Sequence, residues 1–250
     1  MKRKLGTSMG LPQIKTALLA ISVFIVGATG AIASTPSAQS ASKAFSLAFQ
    51  AWSTGHQDQA ESMLTKDVLE FPYDQHLAFF DAACTRSRWL IDESRPKLIT
   101  VGSLFPGSAE GLAAGYILNV DSGTDVVASF NGMEGLVTKY PGDVLLLWMT
   151  AVECRQLQKD NVGKPRGAVA VNLGIQLYGL LLTRIHGVGP SMVHQTYGNL
   201  LFDMGFPQTA VIQHRIAVKL EPAPYTCQAL IMDLDKLRAT ASNSLVLELS

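Results

Sequence analysis

"GNLLFDMGFPQTAVIQHRIAVKLEP", residues Gly198 to Pro222, carries small residues and a proline at intervals of seven, five, seven and five: Gly198, Gly205, Ala210, Ala217 and Pro222. Its leucines, valines and isoleucines recur at helical rather than alternate spacing. The stretch therefore reads as two helices in succession. A small residue in the middle of the first lets the second lie close against it. A proline ends the second, because it cannot continue a hydrogen-bonded helix.

The same spacing recurs at Ala48, Gly55, Ala60, Asp67 and Pro72, where only Asp67 is not small. Pro106 stands 34 residues beyond Pro72, and Pro141 another 35 beyond that. Ala82, Trp89, Ser94 and Val101 precede Pro106 at the same offsets. Tyr116, Gly123 and Ala128 precede Pro141 with one residue of slip. A period near 34 with two helices per unit marks a helical-hairpin repeat. In each unit an alanine early in the second helix, Ala60 or Ala210, is expected to fill the gap beside the small residue of the first. The later alanine, such as Ala217, is expected to touch the next unit.

On these residues the chain resembles the tetratricopeptide repeat family, in the form of an exported bacterial protein. Residues 191–224 match through Tyr197, Gly198, Leu201, Ala210, Ala217 and Pro222, and residues 41–74 through Leu47, Ala48, Gly55, Ala60, Leu64 and Pro72. Residues 75–108 and 109–143 match mainly in period and proline. The resemblance implies an all-α fold, a right-handed α-solenoid of antiparallel helix-turn-helix repeats, about five units plus a partial one. It covers roughly residues 41–240. The unit from Val144 to Pro190 is 47 residues long, and its extra length is expected in a polar loop from Gln156 to Gly167. Its second helix, about Ala168 to Arg184, is apolar nearly all round and is expected to be buried. Tyr225 to Arg238 reads as one more first helix, and residues 241–250 as an irregular tail.

The start of the chain has another character. Lys2, Arg3, Lys4 and Lys15 precede an apolar run from about Ala17 to Ala28, and Ala31-Ile32-Ala33 follows. That layout predicts a signal peptide over residues 1–33, and hence an exported chain, periplasmic or secreted. The alternative is an uncleaved membrane anchor, because the apolar stretch is close to the lower limit for a span. Only in that case is membrane contact expected. Residues 34–41 are small and polar and read as a flexible linker before an array over residues 42–240.

The chain has 250 residues, 48% of them hydrophobic, and a formal net charge of zero. Cleavage after Ala33 would leave a net charge of −4. A nucleic-acid partner is not expected of such a chain, which counts against a helical-repeat RNA binder. Cys84, Cys154 and Cys227 match no metal motif and read as small buried hydrophobes; a single disulfide or an interchain pairing is the alternative. No hydrolase elbow, phosphate loop or zinc-protease motif is present. No catalytic residue, cofactor or metal is therefore expected. His194 and His214 lie on facing helices, where with Asp203 they could hold a metal, but interhelix packing is the plainer role.

Binding is the expected function. The resemblance implies that first helices line a concave groove for a protein or peptide. In this chain the groove would include Phe79, Ala83 and Arg86, then Trp148, Val152 and Arg155, then Gln195, Asn199 and Asp203. Asn199 follows the small Gly198, where the family often has a peptide-binding asparagine. Arg86 and Arg155 stand at equivalent positions two units apart and could grip a carboxylate in two parallel bonds. That points to an acidic segment or a chain terminus as ligand. The chain reads as an exported, non-catalytic adaptor, or as the repeat portion of a larger enzyme or envelope complex.

Overall fold

The computed structural model describes residues 38–88, 90–160, 165–185 and 189–248. The expected signal peptide over residues 1–33, and Trp89, lie outside the described residues. Eleven helices follow one another in the described residues: α1 (Ala38–Ser53), α2 (Gln57–Glu70), α3 (Gln75–Ser87), α4 (Ile91–Leu104), α5 (Ala109–Ser122), α6 (Val126–Lys139), α7 (Val144–Asp160), α8 (Pro165–Arg184), α9 (Ser191–Asp203), α10 (Pro207–Leu220) and α11 (Pro224–Glu248). They pair as five hairpins, α1/α2 through α9/α10, with α11 packed against α10. This is the expected all-α array of five units and a partial one.

Local chemistry sets the hairpins. Inside three of them the first helix ends on a glycine in the left-handed region: Gly55 (φ 88°), Gly123 (φ 71°) and Gly205 (φ 82°). Each forms the same pair of bonds. Gly205 N–H donates to the Phe202 carbonyl at 3.0 Å, and Phe206 N–H to the Leu201 carbonyl at 2.9 Å. The bonds at Gly55 and Gly123 correspond residue for residue. This is the Schellman ending, which needs a positive φ that glycine adopts without penalty.

Between hairpins a second device recurs. Phe71-Pro72-Tyr73-Asp74, Phe105-Pro106-Gly107-Ser108 and Tyr140-Pro141-Gly142-Asp143 each close a four-residue turn, with the last N–H donating to the first carbonyl at 3.0–3.1 Å. The aromatic residue closes the outgoing helix. Proline stands at the second turn position, which suits its fixed φ. The final Asp or Ser caps the incoming helix. Asp74 accepts from Leu77 N–H at 2.9 Å, Ser108 from Gly111 N–H at 3.0 Å, and Asp143 from both Leu145 and Leu146 N–H at 3.0 Å.

Within a hairpin, positions 16 residues apart share a fixed space. A Cβ on Gly198 would come within 2.5 Å of the His214 ring, and one on Gly132 within 2.3 Å of the Tyr116 ring. The fifth hairpin is small on its first helix and bulky on its second; the third reverses the sizes. The gap at Gly198 is thus filled by His214, not by Ala210 as the sequence suggested. Ala48, Ala60, Ala210 and Ala217 are nonetheless fully buried.

The long fourth unit departs from expectation. Gln156 to Asp160 continue α7 rather than forming a polar loop, and α8 begins at Pro165. Residues 161–164 of the expected loop lie outside the described residues, and part of the extra length goes into the two helices. One face of α8 is open: Val169 is 60% exposed and Leu180 49%. Likewise α1 starts at Ala38, inside the stretch expected to be a linker, and α11 runs to Glu248, through the stretch expected to be irregular.

Successive odd-numbered helices pack on one another, α1 on α3, α3 on α5, α5 on α7, α7 on α9 and α9 on α11. No two even-numbered helices pack to a comparable degree among the described residues, and α3 also reaches α7. Crowding of one set and splaying of the other places the odd helices on the inner face of a curved array.

Candidate functional site

The inner face divides into two halves. One is filled by the chain's own side chains. Trp52 on α1 meets Trp148 on α7 with ring centroids 4.8 Å apart, and both are fully buried. Beside them Arg86 on α3 is 1% exposed. Its Nη2 donates to Asp121 Oδ1 on α5 at 2.6 Å, and its Nε and Nη2 donate to Glu153 Oε1 on α7 at 3.2 and 3.0 Å. One guanidinium thus ties three hairpins. Burial pushes the Glu153 carboxyl above its ordinary range, against the pull of Arg86.

The residues expected to grip a ligand are distributed accordingly. Arg86 and Trp148 are enclosed. Arg155 Nε donates to Asp203 Oδ2 at 2.9 Å, joining α7 to α9. Gln195 is 6% exposed, and its backbone carbonyl accepts from His214 Nε2 at 3.2 Å. Asn199 is half-buried on α9. These residues share a face, but the two arginines face carboxylates of the chain itself. His194 and His214 do not converge either. His194 Nδ1 lies 2.8 Å from Gln213 Oε1, and His214 Nδ1 lies 2.7 Å from Asp233 Oδ2. Cys84 and Cys154 are buried free thiols, and burial raises both well above the usual thiol range.

The other half of the inner face is open. A cleft of about 450 Å³ lies there, walled by Phe45 and Phe49 of α1, His76 and Phe79 of α3, Glu110 of α5, and Asp143 to Leu145 at the start of α7. Phe45 and Phe49 are half-buried and nearly parallel, with centroids 5.9 Å apart, and the His76 ring tilts 5.8 Å from Phe45. His76 Nδ1 lies 2.5 Å from Glu110 Oε1. The bond to Glu110 raises the His76 pKa although burial opposes it. Burial acts to raise Glu110, yet the His76 bond and its other hydrogen bonds leave it below the ordinary carboxylate range. Burial raises Asp143, opposed by the two N–H groups it caps.

Of the cleft, the sequence reading found Phe79 alone. The missed residues carried a signal at one period: Phe45 and Phe79 are 34 residues apart, as are His76 and Glu110. Arg86 and Asp121 are likewise 35 apart, and Arg86 and Glu153 are 67 apart.

The described residues form an array of antiparallel helical hairpins. Its own period, turn glycines and pairing of neighbouring helices carry that statement. No family model matches the chain, and no curated protein matches it. Among solved structures it is similar to TTC0263, a thermophilic TPR protein of Thermus thermophilus, at 13% identity and a TM-score of 0.43. That match covers 79% of this chain and 98% of the other. It is also similar to a tetratricopeptide repeat protein from Parabacteroides merdae, at 13% identity and a TM-score of 0.32, covering 84% and 96% of the two chains. A human IFIT1 dimer with PPP-AAAA matches at 13% identity and a TM-score of 0.45, covering 83% of this chain and 56% of that one. No described helix is long and apolar enough to cross a membrane.

Proposed function

We propose that this chain is a non-catalytic scaffold that holds a protein or peptide partner on the inner face of its hairpin array. The observation that carries this reading is the cleft between α1, α3, α5 and α7. It is open, it has half-buried phenylalanine faces, and it combines an apolar wall with a few polar groups, as binding sites commonly do. Aromatic side chains are also the usual anchors of protein contacts. The neighbouring part of the inner face is filled by Trp52, Trp148 and Arg86, so the cleft is where a partner's side chains can enter. Export, to the periplasm or beyond, is part of the proposal and rests on residues 1–33 alone.

The test is a selection of displayed peptides against the full chain, followed by binding isotherms. Phe45→Ala should weaken the selected peptide by about tenfold or more, the scale of a lost aromatic anchor, with far-UV circular dichroism unchanged. A peptide that binds the variant as tightly as the parent, or a selection that yields no binder, would sink the reading.

A further inference from the structure

We propose that the cleft takes a basic apolar segment, a lysine or arginine flanked by hydrophobic side chains, and not the acidic segment that Arg86 and Arg155 suggested. This deepens the reading above and rests on it. Charge complementarity carries it. Among the described residues no lysine or arginine lines the cleft. Its charged groups are Glu110 and Asp143, together with His76, whose Nδ1 is already turned to Glu110. Asp74, the cap of α3, adds a third carboxylate that acts on His76.

The arginines that would have answered an acidic ligand are committed elsewhere, Arg86 to Asp121 and Glu153, and Arg155 to Asp203. An acidic segment entering the cleft would meet like charge with no cation to offset its desolvation. A basic side chain meets the opposite. Asp143 offers its carboxylate from a fixed cap, since two backbone N–H groups hold its Oδ1. The half-buried faces of Phe45 and Phe49 suit both a cation, through the ring quadrupole, and the apolar residues beside it.

Fluorescence anisotropy with two labelled peptides tests this on the full chain. One alternates leucine and arginine; its twin has glutamate in place of arginine. The arginine peptide should bind at least about tenfold more tightly, one step of 1.4 kcal/mol, and should weaken as salt rises. Asp143→Asn keeps a capping side chain and should cost the arginine peptide roughly threefold to tenfold, while leaving the glutamate twin unchanged or improved. Equal binding of the two peptides, with Phe45→Ala weakening both, would overturn the charge assignment and leave the cleft as a binding site. Tighter binding of the glutamate peptide would overturn it outright. Failure of both peptides to bind, or binding that Phe45→Ala does not touch, would remove the cleft reading and this inference with it.

Discussion

Arg86 has one positive charge and faces two buried carboxylates. Removing the cation leaves both uncompensated, so Arg86→Ala should cost about 3–5 kcal/mol, read as a shift in urea midpoint. Glu153→Gln should cost far less, because the amide oxygen can still accept from the guanidinium. The sign of its pH dependence follows from burial. Glu153 has a raised folded pKa, so its contribution is intact below the ordinary carboxylate value of 4.5 and is lost as pH rises through the folded value. The glutamine variant should therefore gain on the parent as pH rises above 4.5; an unchanging gap across that range would show that Glu153 does not titrate as described. Gly198→Ala and Gly132→Ala each force a methyl into an aromatic ring. Overpacking of this kind costs about 1–3 kcal/mol, measurable by thermal melts.

At the scale of the helix, the turn tetrapeptides explain why elements start and stop where they do. Proline alone marked the ends in the sequence, but each aromatic-proline-x-cap stretch both ends one helix and begins the next. Asp74→Ala should cost roughly 1 kcal/mol through the lost cap. The His76–Glu110 contact latches α3 to α5 and gives that pair a pH window. Glu110 has a lowered folded pKa, so its share is present above 4.5 and lost as pH falls through the folded value. His76 has a raised one, so its share is present below 6.5 and lost as pH rises through the folded value. The stability difference between parent and His76→Ala should be largest between about 4.5 and 6.5 and shrink on either side. A flat difference would mean the latch holds no charge. The lengthened α7 and α8 show how polar residues can extend a helix when the next helix packs along it. Composition suggested a loop there because it registers polarity and not the neighbour.

Over the whole molecule, curvature matters most. Repeat arrays are commonly stabilised by nearest neighbours alone. Here Trp52 of the first hairpin rests on Trp148 of the fourth, and a Cβ at Gly55 would lie 3.4 Å from Leu220 of the fifth. Distant units therefore support one another. Trp52→Ala should cost about 3–5 kcal/mol and shift the unfolding of the whole array in a single step. A variant that loses only its first hairpin, while Trp148 fluorescence keeps its parental transition, would show that the ends are independent.

The sequence by itself determined that helices pair as successive hairpins and where most of the turns fall. Each of those depends on residues a few positions apart, or on one partner 16 residues away along the same hairpin. The phenylalanine at one period, the glycines at three hairpin turns and the prolines that follow second helices were all visible there. Only the tertiary structure decided which part of the inner face is free. Small angles between successive hairpins add up along the array, and no periodic pattern records their sum. That sum buries Arg86 among carboxylates one and two periods away, and leaves the acidic, aromatic cleft open beside it.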